Sequence, residues 1–205
     1  PPRSWTTRDL GVDVQWGPWR NPVQQGRMRK FHAAARKLRG LALPAYAKLR
    51  LLRPLHSVAL YGSEVGGCSA TQFKCLRHAC RAMLGKGHKM RRAAEVELAL
   101  KGGILSDPEV AAAQTMVRTW QRSIGRGQSW PPRAGSWERA MQTGRGRGPL
   151  RALKQLADKI SWEPCEAGWN TPEGFVTWEQ ADWLVVQHVH RHVLKQLVER
   201  RPDYG

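Results

Sequence analysis

The chain has 205 residues, 41% of them hydrophobic, which suits a globular domain with a real core and excludes a disordered polyelectrolyte. Its net charge is +18 and its pI near 10.9, a balance that favours a polyanionic partner through release of counterions from phosphates. No run of ~18 apolar residues occurs, so no membrane span is expected, and four cysteines (Cys68, Cys75, Cys80, Cys165) in no secreted disulfide framework point to a reducing, intracellular compartment.

The charge is uneven. Residues 1–92 hold 19 Lys+Arg against Asp9, Asp13 and Glu64, whereas residues 161–205 hold 4 Lys+Arg against 7 acids. The bland reading of such a balance is solubility or a GC-rich coding bias that inflates Arg.

Residues 1–22 are rich in Pro, Trp, Gly and Arg, with Leu10-Gly11-Val12-Asp13-Val14 as one short strand and Trp16, Pro18 and Trp19 in a stiff turn. The charge layout lacks any signal-peptide pattern, and the chain looks like a piece of a longer one. Over 22–41 the pattern turns helical: Met28, Phe31, Ala35 and Leu38 recur at three- and four-residue steps, with Arg29, Lys30, Arg36 and Lys37 opposite. Gly40 and Pro44 end it. A second helix is expected over 45–61, with Tyr46, Leu49, Leu52 and Leu55 inward, Lys48 and Arg53 wet, and a kink or break at Pro54. A third runs to Leu84 from an N-cap at Ser69 or Thr71. Its apolar stripe is Phe73, Leu76, Cys80, Met83 and Leu84; Lys74, His78 and Arg81 line the other side.

After a basic loop at 85–89, a short helix is expected over 91–101. Asp107-Pro108 then opens another, to about Ile124, with Val110, Ala113, Val117 and Trp120 inward. The stretch 125–149 is a Gly/Pro/Arg-rich linker, helical only over 136–142. Its Gly-Arg alternation suits a flexible phosphate-touching loop or a plain linker. A helix follows over 150–160, then an irregular stretch, 161–176. Phe175-Val176-Thr177 is a strand or a helix lead-in. The last helix spans 177–200 with Val185, Val189, Val193 and Leu197 at four-residue steps.

The expected fold is therefore all-α: a basic helical bundle with one short N-terminal strand and irregular, loop-rich connections. Four regions follow: a lead-in (1–22), a basic bundle (23–124), the linker (125–149) and a C-terminal helical segment (150–205).

Arg29, Lys30, Arg36, Lys37, Lys48, Arg53, Lys74 and Arg81 are the candidate nucleic-acid-binding residues. Arg clamps a phosphate with two hydrogen bonds and Lys offers a mobile point charge. Soluble helices usually have charged outer faces, but those mix signs, and acids are nearly missing here. Trp5, Trp16, Trp19, Trp130 and Trp137 sit near Arg residues; they could stack on unpaired bases or anchor turns. Cys68, Cys75, His78, Cys80 and His88 lack the Cys-x2-Cys spacing of a zinc site, and core cysteines suit the apolar stripe better. His188 and His192 share a helix face without a third ligand. No catalytic carboxylate pair, nucleophile motif or phosphate-binding loop appears, so neither a catalytic site, a metal nor a cofactor is expected.

The order of motifs is more specific. It runs Leu10-Gly11-Val12-Asp13, Arg27-Met28-Arg29-Lys30, Leu43-Pro44 with Lys48, Ala59-Leu60-Tyr61-Gly62-Ser63-Glu64-Val65, then Leu76-Arg77 through Ala79-Cys80-Arg81-Ala82-Met83-Leu84-Gly85. This resembles the thumb and post-palm segment of reverse transcriptases of non-LTR (LINE-type) retrotransposons. The likeness covers roughly residues 8–124, with a weaker echo in Leu197…Arg200-Arg201-Pro202-Asp203. It departs where Gly66-Gly67 follow Val65, a place where such enzymes often carry Trp.

The resemblance implies a module that grips a template–primer duplex, RNA or DNA, mostly by its backbone. It implies a nuclear setting and no activity of the segment alone: the polymerase carboxylates of that family sit in a Tyr/Phe-x-Asp-Asp motif upstream of the Leu-Gly, outside these 205 residues. The alternative is a basic structural or interaction subunit of a large ribonucleoprotein or protein complex.

Overall fold

In the computed structural model, residues 6–9, 12–15, 22–63, 67–84, 107–126, 149–165 and 167–199 are described. Strands β1 (Thr6–Asp9) and β2 (Val12–Gln15) form an antiparallel hairpin. Helices α1 (Pro22–Gly40), α2 (Ala45–Leu60), α3 (Ala70–Met83), α4 (Pro108–Gly125) and α5 (Pro149–Ile160) follow. Strands β3 (Glu163–Pro164), β4 (Gly168–Thr171) and β5 (Gly174–Thr177) make a three-stranded antiparallel meander before α6 (Trp178–Glu199).

The protein is mostly helical, but it is not all-α. A two-stranded hairpin replaces the single N-terminal strand, and the stretch expected to be irregular is a small sheet. Its strands are too short to show alternation. The turn Thr171-Pro172-Glu173-Gly174 joins β4 to β5, with Thr171 Oγ1 donating to the Gly174 carbonyl at 2.8 Å and accepting from Glu173 N–H at 3.1 Å. Gly168 is required where it stands: a Cβ there would lie 2.1 Å from the Val176 carbonyl oxygen.

The helix boundaries follow local chemistry. Ser69 caps α3 through a reciprocal box: its hydroxyl accepts from Gln72 N–H at 3.2 Å, and Gln72 Oε1 accepts from Ser69 N–H at 2.7 Å. Asp107 caps α4, and Pro108 fills the first position, where no donor is needed. Helix α5 ends at Ile160, as expected, but without a glycine. Trp162 N–H donates back to Ala157 O at 3.0 Å, and Ser161 takes φ 57°, the left-handed turn usually left to glycine. Helix α2 continues through Pro54, which lies on its solvent side, where water can serve the carbonyl of Arg50 that loses its donor.

Two cores result. The first joins Phe31 and Ala35 of α1, Leu49, Leu52, Ala59 and Leu60 of α2, and Phe73, Leu76, Cys80 and Met83 of α3. Leu84 packs against it partly buried, while Tyr46, expected inward, is 66% exposed in the first turn of α2. His56 is buried here, stacked on Phe31 with ring centroids 5.3 Å apart, and its Nε2 lies 3.6 Å from Cys80 Sγ.

The second core joins Val110, Ala113 and Val117 of α4, Leu153 and Leu156 of α5, and Val185, Val189 and Val193 of α6. Trp162, Trp169 and Trp178 complete it in a tilted row, with centroids 5.9 Å and 5.0 Å apart. Helix α4, grouped by sequence with the first bundle, packs along α6 and gives most of its apolar face to this second core; Ala112, with Ala111 partly buried beside it, joins the first.

Candidate nucleic-acid interface

The first bundle has an electrostatic peculiarity written in its composition: 22–63 and 67–84 contain no Asp or Glu, while Lys and Arg recur throughout. On α1 the apolar face is satisfied by α2 and α3. At ~100° per residue, Arg29, Lys30, Arg36 and Lys37 fall on the opposite side, and all four are exposed, as is Arg39. No carboxylate on α1, α2 or α3 offsets them, so this ridge keeps its field.

Helix α3 continues the field where it meets α1. Lys74 and His78 are exposed on successive turns. His78 is close enough to His32 of α1 to act on its titration. Partial burial, then His78, then Arg36 hold the His32 imidazole below its ordinary range. Positive groups from two helices therefore crowd one seam.

That seam gives a pH dependence. With its folded pKa lowered, His32 contributes stability fully above the ordinary imidazole range, and the contribution is lost as pH falls through about 6.5 towards the depressed value. Urea melts between about pH 7.5 and 5.5 should therefore show stability falling as the pH drops, and His32→Asn, which has no imidazole to protonate, should lose part of that fall; an identical pH slope in the variant counts against the seam.

The other candidates are placed differently. Lys48 is half-buried, its ammonium donating to the Arg39 carbonyl at 3.1 Å near the end of α1. Arg53 lies in α2, but its side chain is outside the described residues. Arg81 is a correction: it is 7% exposed, with its guanidinium 3.4 Å from His78 Nδ1. The helical wheel assigns it to the polar side of α3, but periodicity reports the angle about one axis and not what covers the helix end. Trp5, Trp16, Trp19, Trp130 and Trp137, the loops at 85–89 and 144–148, and the expected helices at 91–101 and 136–142 lie outside the described residues.

Arg77 has a role that the motif order did not single out. Its guanidinium clamps Asp107 with two hydrogen bonds, 2.7 Å to Oδ2 and 2.9 Å to Oδ1, and reaches Glu109 Oε2 at 2.7 Å. Lys159 of α5 bridges to Glu109 from the other side. Burial, then the Arg77 guanidinium, push the Lys159 ammonium below its ordinary value, against the pull of Asp107. This cluster ties α3, α4 and α5 together where the two cores meet, beside a cavity of about 60 Å³ that Ser63 also lines. It commits Arg77, and with it Asp107 and Glu109, to contacts within the fold. The one available signal was the Asp-Pro-Glu helix opening, an acidic pair in a basic neighbourhood.

Burial and Asp107 push the Cys80 thiol far above its ordinary value, as suits a core cysteine rather than a metal ligand. His188 packs on Trp162 with centroids 5.0 Å apart, and His192 Nε2 accepts from the Gln196 amide at 2.8 Å. Among the described residues no three His, Cys, Asp or Glu side chains gather to hold a metal, and no helix is long and apolar enough to cross a membrane. Comparison with protein families, curated proteins and solved structures finds no match.

Proposed function

We propose that this chain is a nucleic-acid-binding helical module that holds a duplex by its phosphate backbone, without catalysis of its own. The observation that carries the proposal is the acid-free ridge Arg29, Lys30, Arg36 and Lys37 on α1, extended at the α1–α3 seam by Lys74. Backbone contacts position a protein on a duplex and carry no base information, so binding would be tight at low salt and indifferent to sequence. The motif order that resembles the thumb of a non-LTR retrotransposon reverse transcriptase supports the same role, as a clamp on template and primer beside a palm.

The test replaces Arg29, Lys30, Arg36, Lys37 and Lys74 with Gln and titrates the chain with an RNA–DNA hybrid and with DNA duplexes of different sequence. Binding should weaken similarly on all of them, and the slope of log K against log salt should shrink by about 0.9 for each phosphate that the ridge no longer neutralises. An unchanged slope, or weakening confined to one sequence, would remove the backbone-clamp proposal.

A further inference from the structure

Helix α2 has two apolar faces, and among the described residues one is packed into a core. Leu49, Leu52, His56 and Ala59 are buried against α1 and α3. On the opposite side Leu51 is 44% and Val58 51% exposed, with Pro54 exposed between them. At ~100° per residue these three fall within about 60° of one another, and half-buried Ala47 extends the line by one turn. A single exposed leucine means little, but an apolar row along three turns of one helix is the pattern of a contact surface.

We propose that this row docks an acidic amphipathic helix of a protein partner. The charge around it selects the occupant. Arg50 is exposed along one edge and Lys48 lies along the other, and α1, α2 and α3 supply no carboxylate to offset them. A second copy of the chain would set these cations against their own equivalents, which disfavours self-association. A lipid surface takes a broad apolar face that sinks into the acyl boundary. Here the face is narrow because the rest of α2 is committed to the core, and a narrow row roughly 17 Å long fits one helix of about 12 residues. The partner's own apolar residues would meet Leu51, Pro54 and Val58, and its flanking carboxylates would meet Arg50 and Lys48. The row is separate from the α1 ridge, so this inference stands independently of duplex binding.

The test uses the full chain and two designed helical peptides of about 12 residues, each with a Leu row flanked by Glu in one and by Lys in the other. The Glu peptide should bind, and the Lys peptide should bind at least about tenfold more weakly. Leu51→Gln with Val58→Gln should weaken the Glu peptide at least about tenfold while leaving the helical signal and duplex affinity unchanged. No binding of the Glu peptide, equal binding by the double variant, or equal binding of the Lys peptide overturns the proposal. So does Leu51- and Val58-dependent dimerisation in sedimentation, or pelleting with phosphatidylserine vesicles, in place of peptide binding.

Discussion

Asp107→Ala is expected to lower the unfolding free energy by about 4–6 kcal/mol, from the loss of a buried partner and of a helix cap. The Asp107 side chain is 2% exposed and that of Arg77 12%. Removing the carboxylate leaves the enclosed guanidinium without its two-bond clamp, and Glu109, its other carboxylate among the described contacts, is shared with Lys159. It also strips the α4 N-terminus of an acceptor: Asp107 Oδ1 takes Glu109 N–H at 2.8 Å and Val110 N–H at 3.4 Å. In a chain of this size the melting temperature should fall by about 10–15 °C. Asp107→Asn, which keeps the cap, separates the two parts. Its deficit should be the pair alone, about 3–5 kcal/mol. Thermal melts followed by circular dichroism check both, and an alanine variant within about 2 °C of the parent would refute a structural role for the cluster.

Trp169→Ala should be comparably severe, about 3–5 kcal/mol, because it empties the middle of the second core. Trp169 is fully buried, 5.9 Å from Trp162 and 5.0 Å from Trp178 between ring centroids, and it anchors β4 against α6. Its indole N–H is buried without an acceptor among the described residues, a cost that the large apolar contact must outweigh. Trp169→Phe keeps most of that contact and discards the donor, so it should stay within about 1 kcal/mol of the parent. Urea denaturation distinguishes the two, and equal destabilisation by Ala and Phe would show that the ring's packing is not the source of stability.

The helices were legible because their signals are local. The Ser69–Gln72 box, the Asp107-Pro108 opening and the three- and four-residue steps of Phe31, Ala35, Leu76, Val117, Val185 and Val189 each declare themselves within one or two turns. The meander was legible only at Phe175-Val176-Thr177, offered as a strand or a helix lead-in and found in β5. Its strands run two to four residues, too short for a period of two to emerge, and its Gly and Pro residues resemble those of any loop. Among the candidate site residues, the α1 ridge was legible because an acid-free amphipathic helix has one way to face water. Arg77 and Arg81 were not, because their surroundings come from residues distant in the chain.

Composition and periodicity by themselves determined a mostly helical chain, the placement of its six described helices, an excess of positive charge in the first half and the outward face of α1. The tertiary structure alone decided that α4 completes the second core, that Arg77 is spent on Asp107 and Glu109 while Arg29 and Arg36 stay free of carboxylates on their own bundle, and that α2 keeps an apolar row in water. The physical reason is range. Helix formation and amphipathicity are set within a few residues along the chain, whereas burial and charge pairing depend on which surfaces meet across tens of residues, and no single helix carries that information.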